Sequence, residues 1–88
     1  MTERSVEIVN EAGIHARPAA EIVKLAAKFK SETFIVRDDL EVNAKSIMGV
    51  MMLAAECGAT VIIRAEGEDA DAAVAALAEL IATSFGEA

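Results

Sequence analysis

Apolar residues recur along this chain in two rhythms, one of every second residue and one of every third or fourth. Val6 and Ile8 alternate with Ser5 and Glu7, which predicts a half-buried first strand. Over residues 16–29, Ile22, Leu25, Ala26 and Phe29 follow the i, i+3, i+4, i+7 spacing of a one-faced helix. Thr33 to Arg37 and Leu40 to Asn43 are short β-branched or alternating runs on either side of Asp38-Asp39. They predict a hairpin, although no glycine supplies the usual positive-φ turn residue. Ile47 to Leu53 reads as a short helix with Ser46 as its N-cap and Gly58 as its left-handed stop. Thr60 to Glu66, centred on Val61-Ile62-Ile63, is the fourth strand. Gly67 turns the chain into a last helix capped by Asp69, with Val74, Leu77, Ala78, Ile81 and Phe85 on one face. Residues 86–88 read as a frayed tail.

The element order is therefore β-α-β-β-α-β-α. With two long amphipathic helices, it predicts an α+β fold in which helices cover one face of a mainly antiparallel four-stranded sheet. A chain of 88 residues makes one domain, 1–88, with a single modest core.

Composition narrows the function more than the fold. Hydrophobic residues make up 55% of the chain, but alanine inflates that figure. The longest apolar stretch, Ile47 to Ala55, is broken by Gly49 and falls far short of the ~20 residues that span a bilayer. No signal-peptide pattern opens the chain. The single cysteine, Cys57, excludes an internal disulfide and predicts a cytoplasmic protein; nothing beside it marks it as reactive. A net charge of −7 argues against nucleic acid, whose phosphates call for clustered cations. With one histidine and one cysteine there is no metal-ligand spacing, and the five glycines form no nucleotide-binding loop. No cofactor is expected.

The chemistry concentrates on the one histidine, His15, in the run Gly13-Ile14-His15-Ala16-Arg17-Pro18-Ala19-Ala20. Pro18 suits a first helical turn, where its missing N–H is not needed. Helix-start amides and the Arg17 guanidinium together make a cradle for a phosphoryl group. An imidazole near pH 7 is well populated as the neutral nucleophile. At 100° per residue, Lys24 and Lys28 fall about 20° to either side of Arg17, so the three make a basic stripe, with Glu21 beside it. On an acidic protein such a stripe suits acidic partners. Apolar residues also crowd the helix after Ser46 too densely for all to face inward. Ile47, Met48 and Met51 are expected to form an exposed patch near His15.

Gly13-Ile14-His15-Ala16-Arg17-Pro18-Ala19 and Lys45-Ser46-Ile47-Met48-Gly49-Val50-Met51 resemble the two signatures of the HPr family, the phosphocarriers of the bacterial sugar phosphotransferase system. The resemblance runs from about Ser5 to Phe85 in one register. It implies an open-faced β-sandwich with three helices on one side of the sheet. His15 would accept a phosphoryl group on Nδ1 from phospho-Enzyme I, which draws it from phosphoenolpyruvate, and would pass it to Enzyme IIA domains. Arg17 would accompany that group. Ser46 would match the residue phosphorylated by HPr kinase/phosphorylase, with a transcriptional regulator as a further partner. Docking would fall on Ala16, Arg17, Ala20, Lys24, Lys28, Ile47, Met48 and Met51. The implied protein is a monomeric carrier, consumed and regenerated as a substrate, with no enzymatic activity of its own. The alternatives are a nitrogen-branch regulator and a binding module governed by Ser46 phosphorylation alone. Three features depart from the family pattern: Ala12 stands where Asn or Ser is usual, Asp38-Asp39 where Asn-Gly is frequent, and the surface is more acidic.

Overall fold

In the computed structural model, which describes residues 1–86, four strands and three helices follow the predicted order. They are β1 (Thr2–Glu7), α1 (Ala16–Ala26), β2 (Glu32–Arg37), β3 (Leu40–Asn43), α2 (Ile47–Met52), β4 (Thr60–Glu66) and α3 (Ala70–Ala82), followed by a 3-10 turn at Ser84–Gly86. Positions 87 and 88 of the expected frayed tail lie outside the described residues. The sheet runs β1-β4-β2-β3, and every neighbouring pair is antiparallel. Alternation separates its two faces. Thr33 and Ile35 of β2 and Val61, Ile63 and Ala65 of β4 are buried, whereas Phe34, Val36, Ile62 and Arg64 point to the open face and are half-buried. The helices close over the first set with Ala19, Ile22 and Ala26 of α1, Val50 of α2, and Ala73, Val74, Leu77, Ala78 and Ile81 of α3. Each fully buried Ile or Leu contributes about 1.5–3 kcal/mol relative to exposure. The alanines between them let the helix backbones approach the sheet.

On the open face Arg64 of β4 donates to Glu3 of β1 at 2.8 Å and to Glu41 of β3 at 2.6 Å, tying both edge strands to one interior strand. The hydrogen bond to Glu3 is the main reason the Arg64 guanidinium is held even more firmly charged than usual.

Several ends differ from expectation, each for a local reason. Helix α1 stops at Ala26 rather than residue 29, because the amides of Lys28 and Phe29 reach back only three residues, to Leu25 and Ala26 (both 3.1 Å). Lys28 thus lies in a terminal turn beyond the helix. The left-handed residue after α2 is Ala54 (φ +48°), not Gly58. Gly58 (φ +93°) instead forms the turn into β4, its amide donating to Ile8 O at 2.8 Å. Ile8 itself lies one residue past β1 yet is fully buried. Asp69 occupies the N-cap position of α3 but makes no side-chain cap. Its carboxylate accepts from the amides of Lys30 (2.8 Å) and Ser31 (2.9 Å), which fastens the α1–β2 turn to α3. Those bonds, the Lys30 amide foremost, hold its carboxyl below the ordinary range. Phe85 is buried as expected, but from beyond α3. Left-handed backbone at Ser84 and Phe85 folds its ring back on the core. The hairpin closes without glycine because Asp38 adopts φ +53°, a region aspartate tolerates better than most residues.

Candidate functional site

The histidine is delivered by a turn built on two unusual residues. Asn10 is buried and its Nδ2 donates to Gly13 O at 2.7 Å, while Gly13 N donates to Asn10 O at 3.1 Å. Gly13 has φ +69°, and a Cβ there would lie 2.5 Å from Ala55 O, so only glycine fits. Ile14 is buried and its amide donates to Ala55 O at 2.8 Å. His15 follows as the N-cap of α1 (φ −115°, ψ −166°), its carbonyl accepting from Ala19 N at 2.9 Å. The imidazole is half-exposed and makes no cap hydrogen bond to the helix. Pro18 is buried in the first turn, where no acidic residue occurs, and Arg17 is exposed two residues after the histidine. The imidazole therefore sits at the positive end of the helix dipole, with an exposed arginine two residues on.

Two tethers orient α2 against α1. The Ile14–Ala55 bond joins the start of α1 to the chain just past α2, and Lys45 Nζ donates to Phe29 O at 2.8 Å, joining the other two ends. The helices are consequently antiparallel. The Met51 end of α2 lies toward His15, while Ser46 lies at the opposite end. The patch expectation is thereby refined, and Ser46 is a helix length removed from the histidine.

Exposure along α2 is high: Ile47 42%, Met48 70%, Met51 43% and Met52 64%, against a fully buried Val50. Met52, not among the expected patch residues, belongs to the same apolar surface. Ala16 and Ala20 are exposed on α1, about 180° and 140° around the helix from Leu25. Leu25 meets Leu80 of α3 in a hollow that Glu21, Lys24 and Lys28 also line. Ala16 and Ala20 thus flank the α2 side, and the two lysines flank the α3 side. Lys24 and Lys28 are brought together despite Lys28 lying past the helix end, with Arg17 near the other end of α1. Ser46 caps α2, its Oγ accepting from Gly49 N at 3.2 Å.

Sequence reasoning missed Arg37. Its guanidinium reaches from the end of β2 to Leu53 O (3.1 Å), Ala54 O (2.7 Å) and Glu56 (2.9 Å). No local pattern signals such a contact. Asn10 was also missed, though Asn three residues before Gly is a turn signal. Among the described residues no group of three His, Cys, Asp or Glu is placed to hold a metal ion, and no helix is long and apolar enough to cross a membrane.

Comparison with known proteins gives a consistent result. The family described as "PTS HPr component phosphorylation site" matches residues 2–83. Phosphocarrier protein HPr of Treponema pallidum is 48% identical over 87 residues, covering 99% of each chain. The crystal structure of HPr-C-His from Thermoanaerobacter tengcongensis superimposes with a TM-score of 0.95 at 48% identity, covering 100% of this chain and 99% of that one. An HPr dimer from the same organism gives 0.79 at 48% identity, covering 99% of this chain and 100% of that one. With the four-stranded antiparallel sheet and its three helices, these matches establish that the chain belongs to the HPr family of phosphocarrier proteins.

Proposed function

We propose that this chain is a phosphocarrier whose acceptor is His15, charged by phospho-Enzyme I at the expense of phosphoenolpyruvate and discharged to Enzyme IIA domains in sugar uptake. The observation that carries this reading is a half-exposed imidazole at the N-cap of α1 that does not cap its own helix, with Arg17 two residues on. In transfer, Nδ1 attacks the phosphorus in line. The new N–P bond forms as the bond to the donor breaks, and the same exchange runs in reverse on the next acceptor. The guanidinium and the helix dipole stabilise the equatorial oxygens. The exposed position leaves the phosphoryl group open to the next nucleophile. A carrier needs that reversibility, so deep enclosure of the group would be a handicap. The chain itself is consumed and regenerated as a substrate.

Docking falls on Ala16, Ala20, Ile47, Met48 and Met51, extended by Met52, with Arg17, Lys24 and Lys28 steering acidic partners. Ser46 is the regulatory site. An ATP-dependent HPr kinase/phosphorylase transfers the γ-phosphoryl group to Oγ, releasing ADP. The added charge of about −2 sits beside Ile47 and Met48, where it repels acidic partners and favours a transcriptional regulator. The Ser46 cap and the methionine-rich helix favour the sugar branch over a nitrogen-branch regulator. The protein works as a single-domain monomer in the cytoplasm.

Incubation with phosphoenolpyruvate and Enzyme I tests the reading. The expected product is an acid-labile, alkali-stable phosphate that His15→Ala abolishes. No label on the wild-type chain would overturn it. HPr kinase and ATP should add an acid-stable phosphate that Ser46→Ala cannot accept.

A further inference from the structure

Three consecutive main-chain carbonyls after α2 are all engaged, and they link a distant arginine to the histidine. Arg37 Nη1 donates to Leu53 O at 3.1 Å and to Ala54 O at 2.7 Å, and Nη2 pairs with Glu56 at 2.9 Å. The third carbonyl, of Ala55, accepts from Ile14 N at 2.8 Å, immediately before His15. Gly13 rests on the same place, its missing Cβ falling 2.5 Å from Ala55 O and 2.9 Å from Glu56 Cα. Whatever holds residues 53–56 in place therefore holds the backbone that presents the imidazole.

That segment has reason to need holding. Ala54 sits at φ +48°, a conformation an L-residue keeps only when its surroundings enforce it. Helix α2 is only six residues long and ends in carbonyls that have no partner within the helix. A simple cap would need one donor. The planar fork of Arg37 instead spans two carbonyls and a carboxylate, fixing the segment in position and not merely terminating a helix.

We propose that Arg37, oriented by Glu56, is a positioning residue for phosphoryl transfer at His15. It acts by clamping the 53–56 segment on which the Gly13–His15 turn is seated. The proposal rests on the phosphocarrier reading of His15. Neither Arg37 nor Glu56 touches the phosphoryl group. Their effect is on how well the imidazole is aligned when a partner docks, and misplacement of about 1 Å can cost up to 100-fold in rate.

Arg37→Met, Arg37→Lys and Glu56→Gln in the full chain test this, with two readouts. Amide hydrogen exchange compares Ile14 with Ile63 of β4 and Leu77 of α3. Steady-state kinetics treat the carrier as substrate of Enzyme I. For Arg37→Met, Ile14 exchange should accelerate at least about tenfold while Ile63 and Leu77 keep their protection. kcat should fall roughly tenfold with KM unchanged within about twofold, because the docking residues are untouched. Arg37→Lys should recover part of the rate, and Glu56→Gln should lose about two- to threefold. Unchanged Ile14 exchange and kcat would overturn the proposal. So would a loss of activity that only tracks exchange at Leu77, since that is global destabilisation. If Arg37→Met does not fold, Glu56→Gln, altering an exposed carboxylate, decides by the same readouts. Absence of label on the wild-type chain defeats the phosphocarrier reading itself, an outcome distinct from a wild-type rate that the variants leave unchanged.

Discussion

Replacing Gly13 by alanine should be among the most damaging small changes this protein can suffer, and Gly58 supplies the control. Both glycines have positive φ, +69° and +93°. An alanine at either position carries the left-handed penalty of about 1–2 kcal/mol. Their surroundings differ. A Cβ at Gly58 meets no heavy atom within 4 Å, whereas at Gly13 it would sit 2.5 Å from Ala55 O and 2.9 Å from Glu56 Cα, both main chain. Main chain cannot swing aside, so the turn must lift. That movement stretches the 2.8 Å bond from Ile14 N to Ala55 O, a bond whose buried partners have no substitute. Losing it adds about 1–3 kcal/mol to the backbone penalty. Gly13→Ala is thus expected to cost about 2–5 kcal/mol, and Gly58→Ala only about 1–2 kcal/mol. At about 4–8 °C of Tm per kcal/mol for a chain of this size, thermal denaturation followed by circular dichroism separates the two clearly. Urea titrations with unchanged m-values would show that the folded state, not the denatured one, has been altered. Equal losses in the two variants would refute the close-approach reasoning, leaving φ alone as the constraint on Gly13.

Asp69 gives a pH signature. Its folded carboxyl is held below the ordinary range by the Lys30 and Ser31 amides, so its contribution is complete above the unfolded pKa, near 4, and fades as pH falls through the lower folded value. Asp69→Asn should lower Tm at pH 7, with the gap to wild type closing below about pH 4; a gap independent of pH would contradict this. Ser46→Ala removes the 3.2 Å bond from Gly49 N and should cost about 1 kcal/mol in urea denaturation, whereas no change would mean the cap is idle. Replacing Lys24 and Lys28 together by Glu should slow phosphoryl transfer at low salt and much less near 0.5 M, where the Debye length falls to roughly 4 Å; a salt-independent rate would discard steering.

Periodicity made the fold legible because each element has one wet and one dry face. Ile22 against Lys24 on α1, and Val74, Leu77, Ala78 and Ile81 on α3, are sorted by spacing alone, whereas Phe34, core-like by its residue type, lies half-buried on the open face. The His15-Ala16-Arg17-Pro18 run and the Ser46 cap were legible for the same local reason, since a helix start has chemical requirements written within four residues. What escaped was set by contacts distant in sequence. Arg37 finds its carbonyls sixteen and seventeen residues away, and Asp69 leaves its own helix for amides nearly forty residues earlier. Propensity pointed to Gly58 as the stop for α2, but Arg37 holding the terminal carbonyls lets Ala54 take the left-handed position. Phe85 is buried and Phe29 packs half-buried against the core, yet both lie outside the regular helices, because burial persists where regular hydrogen bonding has already ended.

The antiparallel seating of α1 and α2 separates the two candidate phosphate acceptors by about the length of α2, roughly 9 Å at 1.5 Å per residue for its six residues. At physiological ionic strength the Debye length is about 8 Å, so the repulsion between two such exposed charges on the isolated protein would be largely screened. With both residues phosphorylated, as proposed, the chain would carry two weakly coupled marks. Any logic between them has to be computed by a visitor wide enough to read both ends of the helix pair in a single footprint.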